Sequence, residues 1–143
     1  MTEISHERIA RMFDLSGKVA LVTGGAVGMG KAGGLALAAA GAKVILADDA
    51  DRVAQYAGDL PEGVETAELD VASEAAIGAV VADVVARHGG IDILVNGAVI
   101  NHNKPVLEIT SEEWDRVQAI NLKSGFLMAQ AVIPSMQARG GGR

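Results

Sequence analysis

The chain has 143 residues, a mass of 14.6 kDa and no cysteine, a length that suits one domain over 1–143 and a composition that excludes disulfides, thiolate metal sites and a cysteine nucleophile. Lys and Arg number 12 against 18 Asp and Glu, a net charge of −6, the wrong sign for broad contact with a nucleic-acid backbone. Half the residues are hydrophobic and mean hydropathy is +0.28, which supplies a core, while His6, His88 and His102 stand apart without metal-ligand spacing.

The first 14 residues read as a charged N-terminal extension without the apolar stretch of a signal peptide, so a cytoplasmic location is expected. Lys18 to Thr23 is a short, β-branched apolar run that predicts a buried strand entering the turn at Gly24-Gly25. Gly28 to about Ala40 predicts a helix closed by Gly41, with Gly33 and Gly34 placed to let it pack closely on a sheet. Lys43 to Ala47 predicts a second strand, stopped by Asp48-Asp49. Asp51 to Gly58 reads as a short helix, Val64 to Leu69 as a third strand, and Ser73 caps a helix to about His88. Ile91 to Val95 is a fourth strand and Asn96 to Leu107 a loop. Thr110 has capping-box spacing to Glu113 and opens helical sequence to about Met136, with Pro134 a late kink or stop. Arg139 to Arg143 reads as a turn with nothing after it. No apolar run reaches the roughly 18 residues of a membrane span, Lys43 and Asp48 interrupting the longest. Apolar strands alternating with helices predict an α/β architecture, a doubly wound parallel sheet of about four strands.

Glycine takes 18 of the 143 positions, against a usual share of about 7%, and its densest stretch is Thr23-Gly24-Gly25-Ala26-Val27-Gly28-Met29-Gly30. A phosphate reaches backbone amides at a helix N-terminus only where no Cβ blocks it. A strand before this turn, a helix after it, and Asp48 about 20 residues on make a dinucleotide site the natural reading, with the amides around Gly24, Gly28, Met29 and Gly30 holding a pyrophosphate. Asp48, or its neighbour Asp49, would accept hydrogen bonds from ribose hydroxyls. A 2′-phosphate needs a nearby cation and is repelled by carboxylates. Val27 stands where a basic residue could lie and two acids end strand two, so NAD is favoured over NADP.

The spacing Thr-Gly-x-x-x-Gly-x-Gly at Thr23 to Gly30 resembles the short-chain dehydrogenase/reductase family, whose Rossmann-like fold agrees with the predicted order of elements. Leu69-Asp70-Val71 is similar to the family's strand-three acid, which contacts adenine. Asn96-Gly97-Ala98-Val99 resembles the cofactor-contacting element after strand four, departing from it at Gly97 and Val99. Ile120-Asn121-Leu122 looks like the helix that carries the family's catalytic asparagine, where a kinked backbone holds a proton-relaying water. The resemblance runs from about Leu15 to Met136.

It implies an oxidoreductase moving a hydride between a nicotinamide and a small carbonyl or alcohol substrate, with a tyrosine and a lysine four residues later exchanging the proton. Tyr56 is followed at that distance by Leu60, and Lys18, Lys31, Lys43, Lys104 and Lys123 make no such pair with it. The chain is therefore expected to be the cofactor-binding front of such an enzyme, truncated before strand five and inactive alone. The alternative is a non-catalytic nucleotide-binding or interaction module. Ile91 to Val95 as an apolar sheet edge, with the apolar helix from Leu122 to Met136, predicts a homo-oligomer or a complementing segment. No nucleic-acid, membrane or metal partner is expected.

Overall fold

The computed structural model describes residues 11–56 and 60–143. Residues 1–10 of the N-terminal extension and the last two residues of the helix expected over Asp51 to Gly58 lie outside the described part. The elements are β1 (Val19–Thr23), α1 (Gly28–Ala39), β2 (Lys43–Asp48), α2 (Ala50–Tyr56), β3 (Val64–Glu68), α3 (Glu74–His88), β4 (Ile93–Asn96), α4 (Ser111–Gln118) and α5 (Ser124–Ala138). A short 3₁₀ turn, Val106–Glu108, lies within the loop after β4.

The four strands form one parallel sheet in the order β3-β2-β1-β4, with Leu21 of β1 opposite both Ile45 of β2 and Leu94 of β4. Alternation along each strand divides the apolar side chains between two cores. Leu21 and Ile45 face α3 and α5, packing among Ile77, Val84 and Met128. Val22 and Leu46 face the other way, against Leu35 and Leu37 of α1. Full burial of side chains such as Leu21 and Ile45 stabilises by about 1.5 to 3 kcal/mol each. The sheet is thus covered on both faces, a Rossmann-like, doubly wound α/β arrangement. Because β2 and β4 lie on opposite sides of β1, the chain reverses direction across the sheet there and opens a crevice at the carboxyl ends of β1 and β4.

Several expectations are corrected. Gly34 is where α1 closes on the sheet, since a Cβ there would run into the Leu46 side chain, but Gly33 meets nothing within 4 Å. Strand four begins at Ile93 rather than Ile91. The helical stretch after Thr110 runs unbroken to Ala138, but it is not uniform: a π-helical turn, Ala119–Lys123, lies between α4 and α5. Pro134 neither stops nor ends α5, which runs past it to Ala138.

The tail is more than a turn. Arg143 N–H donates to the Asp92 carbonyl at 3.0 Å and its carbonyl accepts from Leu94 N–H at 2.9 Å, the alternating pattern of a parallel ladder, so Arg143 occupies part of the outer edge of β4. A partly buried ion pair anchors the approach to it. Asp92, 4% exposed, accepts from Val19 N–H at 2.9 Å and from Arg139 Nε at 3.0 Å.

Candidate functional site

The turn after β1 is built on contacts that leave no room for side chains. Thr23 is 1% exposed, and its hydroxyl accepts from the amides of Gly97 at 3.2 Å and Ala98 at 3.3 Å, tying the loop after β1 to the loop after β4. Gly24 has φ +63°, and a Cβ there would lie 2.5 Å from the Gly97 carbonyl oxygen. A Cβ on Gly30 would strike the Gly24 carbonyl. Gly28 differs: it also has positive φ, +55°, but nothing lies within 4 Å of where its Cβ would be. Glycine at 24 and 30 thus serves internal packing, whereas at 28 it leaves open space over the first turn of α1.

That first turn has no partner of its own. Val27 precedes it and makes no side-chain cap, and no acidic residue follows in the first turn. By contrast, Ser73 caps α3 and Thr110 with Glu113 forms a complete capping box on α4. The leading amides of α1, including those of Met29 and Gly30, therefore present unsatisfied donors and the positive end of the helix dipole to the crevice. Met29 is 89% exposed, so its contribution is its backbone.

Beside the turn lies a cleft of about 340 Å³ whose walls include Gly24, Asp48, Arg52, Asp70, Ala98 and Ile100. Asp48, 7% exposed, accepts from Ala26 N–H at 3.0 Å through Oδ2 and from Asp49 N–H at 2.9 Å through Oδ1. Its first role is to hold the glycine turn against the end of β2. A carboxylate has about four lone-pair sites, so two remain for a ligand. Asp49 also lines the cleft, but its Oδ1 accepts from Arg52 N–H at 3.1 Å at the start of α2.

Asp70 combines two roles, since Oδ1 accepts from Ala72 N–H at 2.9 Å in the turn before α3 while the exposed side chain borders the cleft. Gly24, Asp48, Asp70 and Ala98 are thereby brought together. Gly28, Met29, Gly30, Asn96 and Asn121 lie outside the cleft lining. Asn96 ends β4 opposite Thr23 and faces Gly125, where an added Cβ would be 3.7 Å from its Nδ2.

Asn121 sits in the π-helical turn. Ser124 N–H reaches back to the Ala119 carbonyl, one residue further than in an α-helix, and the Ser124 hydroxyl takes the Ile120 carbonyl at 2.5 Å. This widened turn presents the Asn121 side chain to the loop after β4, where it bonds both main-chain groups of Ile100. Ile100 and Ile120 both line the cleft, so Asn121 braces its wall.

Three residues of the cleft escaped the sequence reading, Arg52, Ile100 and Arg116. Arg52 had a findable signal, since it stands four residues after Asp48 at the spacing of one helical turn. Arg116 belongs to a helix whose approach to the cleft depends on the connection after β4. Tyr56 is a packing residue, its ring centroid 3.9 Å from the Lys31 ammonium. Among the described residues no cluster of three or more His, Cys, Asp or Glu has metal-site geometry, and no helix is long and apolar enough to cross a membrane.

The family model for short chain dehydrogenases matches residues 18–143. The chain is 46% identical over 129 residues to a galactitol 2-dehydrogenase of Agrobacterium fabrum, covering 90% of this chain and 50% of that protein. It is 40% identical over 129 residues to a sorbitol dehydrogenase of Cereibacter sphaeroides, with the same coverage of 90% and 50%. A crystal structure described as a short-chain alcohol dehydrogenase of Sinorhizobium meliloti superposes with a TM-score of 0.83 at 34% identity, over 91% of this chain and 53% of that one. The chain spans about half the length of the curated relatives it matches. With its glycine turn, its parallel sheet order and these likenesses in agreement, the chain belongs to the short-chain dehydrogenase family.

Proposed function

We propose that this chain binds NAD and supplies the cofactor-holding part of an oxidoreductase that transfers a hydride between the nicotinamide and a carbonyl or alcohol carbon. The observation that carries the proposal is the uncapped first turn of α1, open above Gly28 and adjacent to a cleft that contains Asp48. A pyrophosphate over Gly28 would receive the amides of Met29 and Gly30, and the adenosine beyond it would enter the cleft. There the two remaining lone-pair sites of Asp48 would accept the ribose hydroxyls, with Asp70 and Ala98 bordering the adenine side. Asn96 and Asn121 would act from the nicotinamide side, Asn121 by fixing the loop at Ile100.

The nicotinamide, when bound, supplies or accepts the hydride. Within these 143 residues the single tyrosine, Tyr56, has no lysine four residues on and packs against Lys31. The chain by itself is proposed to bind cofactor without turning substrate over. Galactitol and sorbitol, in the names of two relatives, are polyols, so polyol and ketose pairs are the first substrates to assay on an assembly containing this chain. Leu122, 70% exposed, and Phe126, 64% exposed, give α5 and the turn before it an apolar surface suited to a homo-oligomer or a complementing segment. A cytoplasmic setting, where NAD is available, belongs to the same proposal.

The test is titration of NADH while watching energy transfer from Trp114, the single tryptophan. Saturable transfer, lost in Gly28→Ala, supports the reading. Natively structured protein that gives no signal with NADH and no heat with millimolar NAD overturns it.

A further inference from the structure

Of the four asparagines in the chain, only Asn96 is followed by glycine. Asn-Gly is the dipeptide most prone to deamidation, because no side chain on the second residue hinders its main-chain nitrogen from attacking the asparagine side chain. Asn96 ends β4 and is exposed, and among the described residues its side-chain amide makes no hydrogen bond. Asn121, by contrast, has both amide atoms held by Ile100. What is restrained at Asn96 is the nucleophile. Gly97 N–H donates to the Thr23 carbonyl at 3.1 Å and to the Thr23 hydroxyl at 3.2 Å, so the proton that this nitrogen must lose is shared between two acceptors. Thr23 is buried and pairs with Asn96 in the sheet, which fixes the backbone beside the reacting bond. The junction has no slack: a Cβ on Gly97 would lie 2.7 Å from the Thr23 carbonyl oxygen.

From this geometry we infer that Asn96-Gly97 is a latent modification site, which Thr23 holds closed while the loops after β1 and β4 stay joined and which deamidates when they part. In the open state the Gly97 nitrogen loses its proton and forms a bond to Asn96 Cγ. The Cγ–Nδ2 bond breaks, and ammonia leaves with that proton. Water then opens the cyclic imide at either carbonyl, restoring a backbone that carries aspartate or isoaspartate, with no change of oxidation state. Isoaspartate runs the main chain through Cγ and lengthens it by one methylene. Because the space between Gly97 and Thr23 is already filled, a chain so lengthened does not close again in register. Aspartate keeps the chain length and places a carboxylate at the crevice end of β4. Each product is a covalent record that the crevice has opened, independent of what binds there.

The experiment incubates the chain in mildly alkaline buffer, folded and in urea, and follows each asparagine by peptide mass spectrometry, with isoaspartate identified by enzymatic methylation. Asn96 is expected to react at least about tenfold faster in urea than in the folded protein, and in urea ahead of Asn101, Asn103 and Asn121. Thr23→Val removes the hydroxyl acceptor and keeps the carbonyl. With its fold confirmed by circular dichroism, this variant is expected to lose Asn96 about fivefold faster than the unaltered folded chain, the effect of one hydrogen bond. Hydrogen exchange at the Gly97 amide of the unaltered protein is expected to be slow and serves if Thr23→Val does not fold. Equal rates at Asn96 with and without urea, no excess over the other asparagines in urea, an unchanged rate in folded Thr23→Val, or an unprotected Gly97 amide would each overturn the inference.

Discussion

Asn121 clasps Ile100 at both main-chain groups: its Oδ1 accepts the Ile100 amide at 2.9 Å and its Nδ2 donates to the Ile100 carbonyl at 2.8 Å. A side chain in a widened helical turn thus does for the loop after β4 what a neighbouring strand would do in a sheet. Asn121→Ala is expected to lower unfolding free energy by about 1 to 2 kcal/mol, two partly exposed hydrogen bonds being lost. Hydrogen exchange at the Ile100 amide is the direct check, and it should quicken well beyond the change in global stability. Equal protection in the two proteins would show that the loop holds itself.

The two positive-φ glycines of the turn give a second prediction, because they fail differently. Gly28→Ala meets open space, so its cost to folding is about 1 to 2 kcal/mol from backbone conformation alone. Gly24→Ala adds a collision with the Gly97 carbonyl and should cost more, visible as a larger loss in urea midpoint. Dinucleotide affinity should nevertheless drop at least about tenfold in the well-folded Gly28→Ala protein, since the new methyl group occupies the phosphate approach.

Asp48→Asn tests the ribose end. The amide oxygen can keep one backbone amide as a partner, but its NH₂ group faces the other donor, which predicts a stability loss of about 1 to 3 kcal/mol. Affinity for NADH should fall more than affinity for NADPH, as the carboxylate favours free hydroxyls and opposes phosphate. Paired titrations of the two dinucleotides settle the direction.

At the opposite end of the sheet, Arg139 Nη2 lies 2.8 Å from Asp92 Oδ2, with side chains 28% and 5% exposed respectively. Arg139→Leu leaves Asp92 buried with Lys18 at 3.5 Å as its remaining cation. We expect a loss of about 2 kcal/mol, below the 3 to 5 of a fully buried pair because Lys18 stays and Arg139 is partly solvated. Faster exchange of the Arg143 amide would show that the same change frees the tail from β4.

Acid should destabilise the fold through two carboxylates. Lys43, 2.6 Å away, and Arg87 hold Glu65 down to about 2 from its usual 4.5, against the upward push of partial burial. For Asp92 burial acts upward, but Arg139, the Val19 amide and Lys18 outweigh it and its pKa is lowered. Both groups bind protons more weakly folded than unfolded, so their contribution is complete above the unfolded values and is lost as pH falls toward the folded ones. The urea midpoint should therefore decline between about pH 5 and pH 2, and Glu65→Gln should flatten that decline.

Strand runs, helix caps and the glycine turn were legible in the sequence because each is decided within a few residues. Apolar period, the lack of a Cβ and a hydroxyl three residues before an amide act locally. Val19 to Thr23, the Ser73 cap, the Thr110 capping box and the glycine turn from Gly24 to Gly30 all belong to this class. Asn121 was visible as a polar residue in helical sequence, but the π-helical turn around it depends on Ser124 taking the Ile120 carbonyl and on Ile100 being there to bond. Tertiary structure alone decided that Asp48 first serves the Ala26 amide, that Arg139 reaches Asp92 across 47 positions, and that Arg143 lies along β4. Each needs a donor and an acceptor brought together by parallel crossovers, whose geometry is fixed by how helices pack on the sheet and is not carried by any short stretch of sequence.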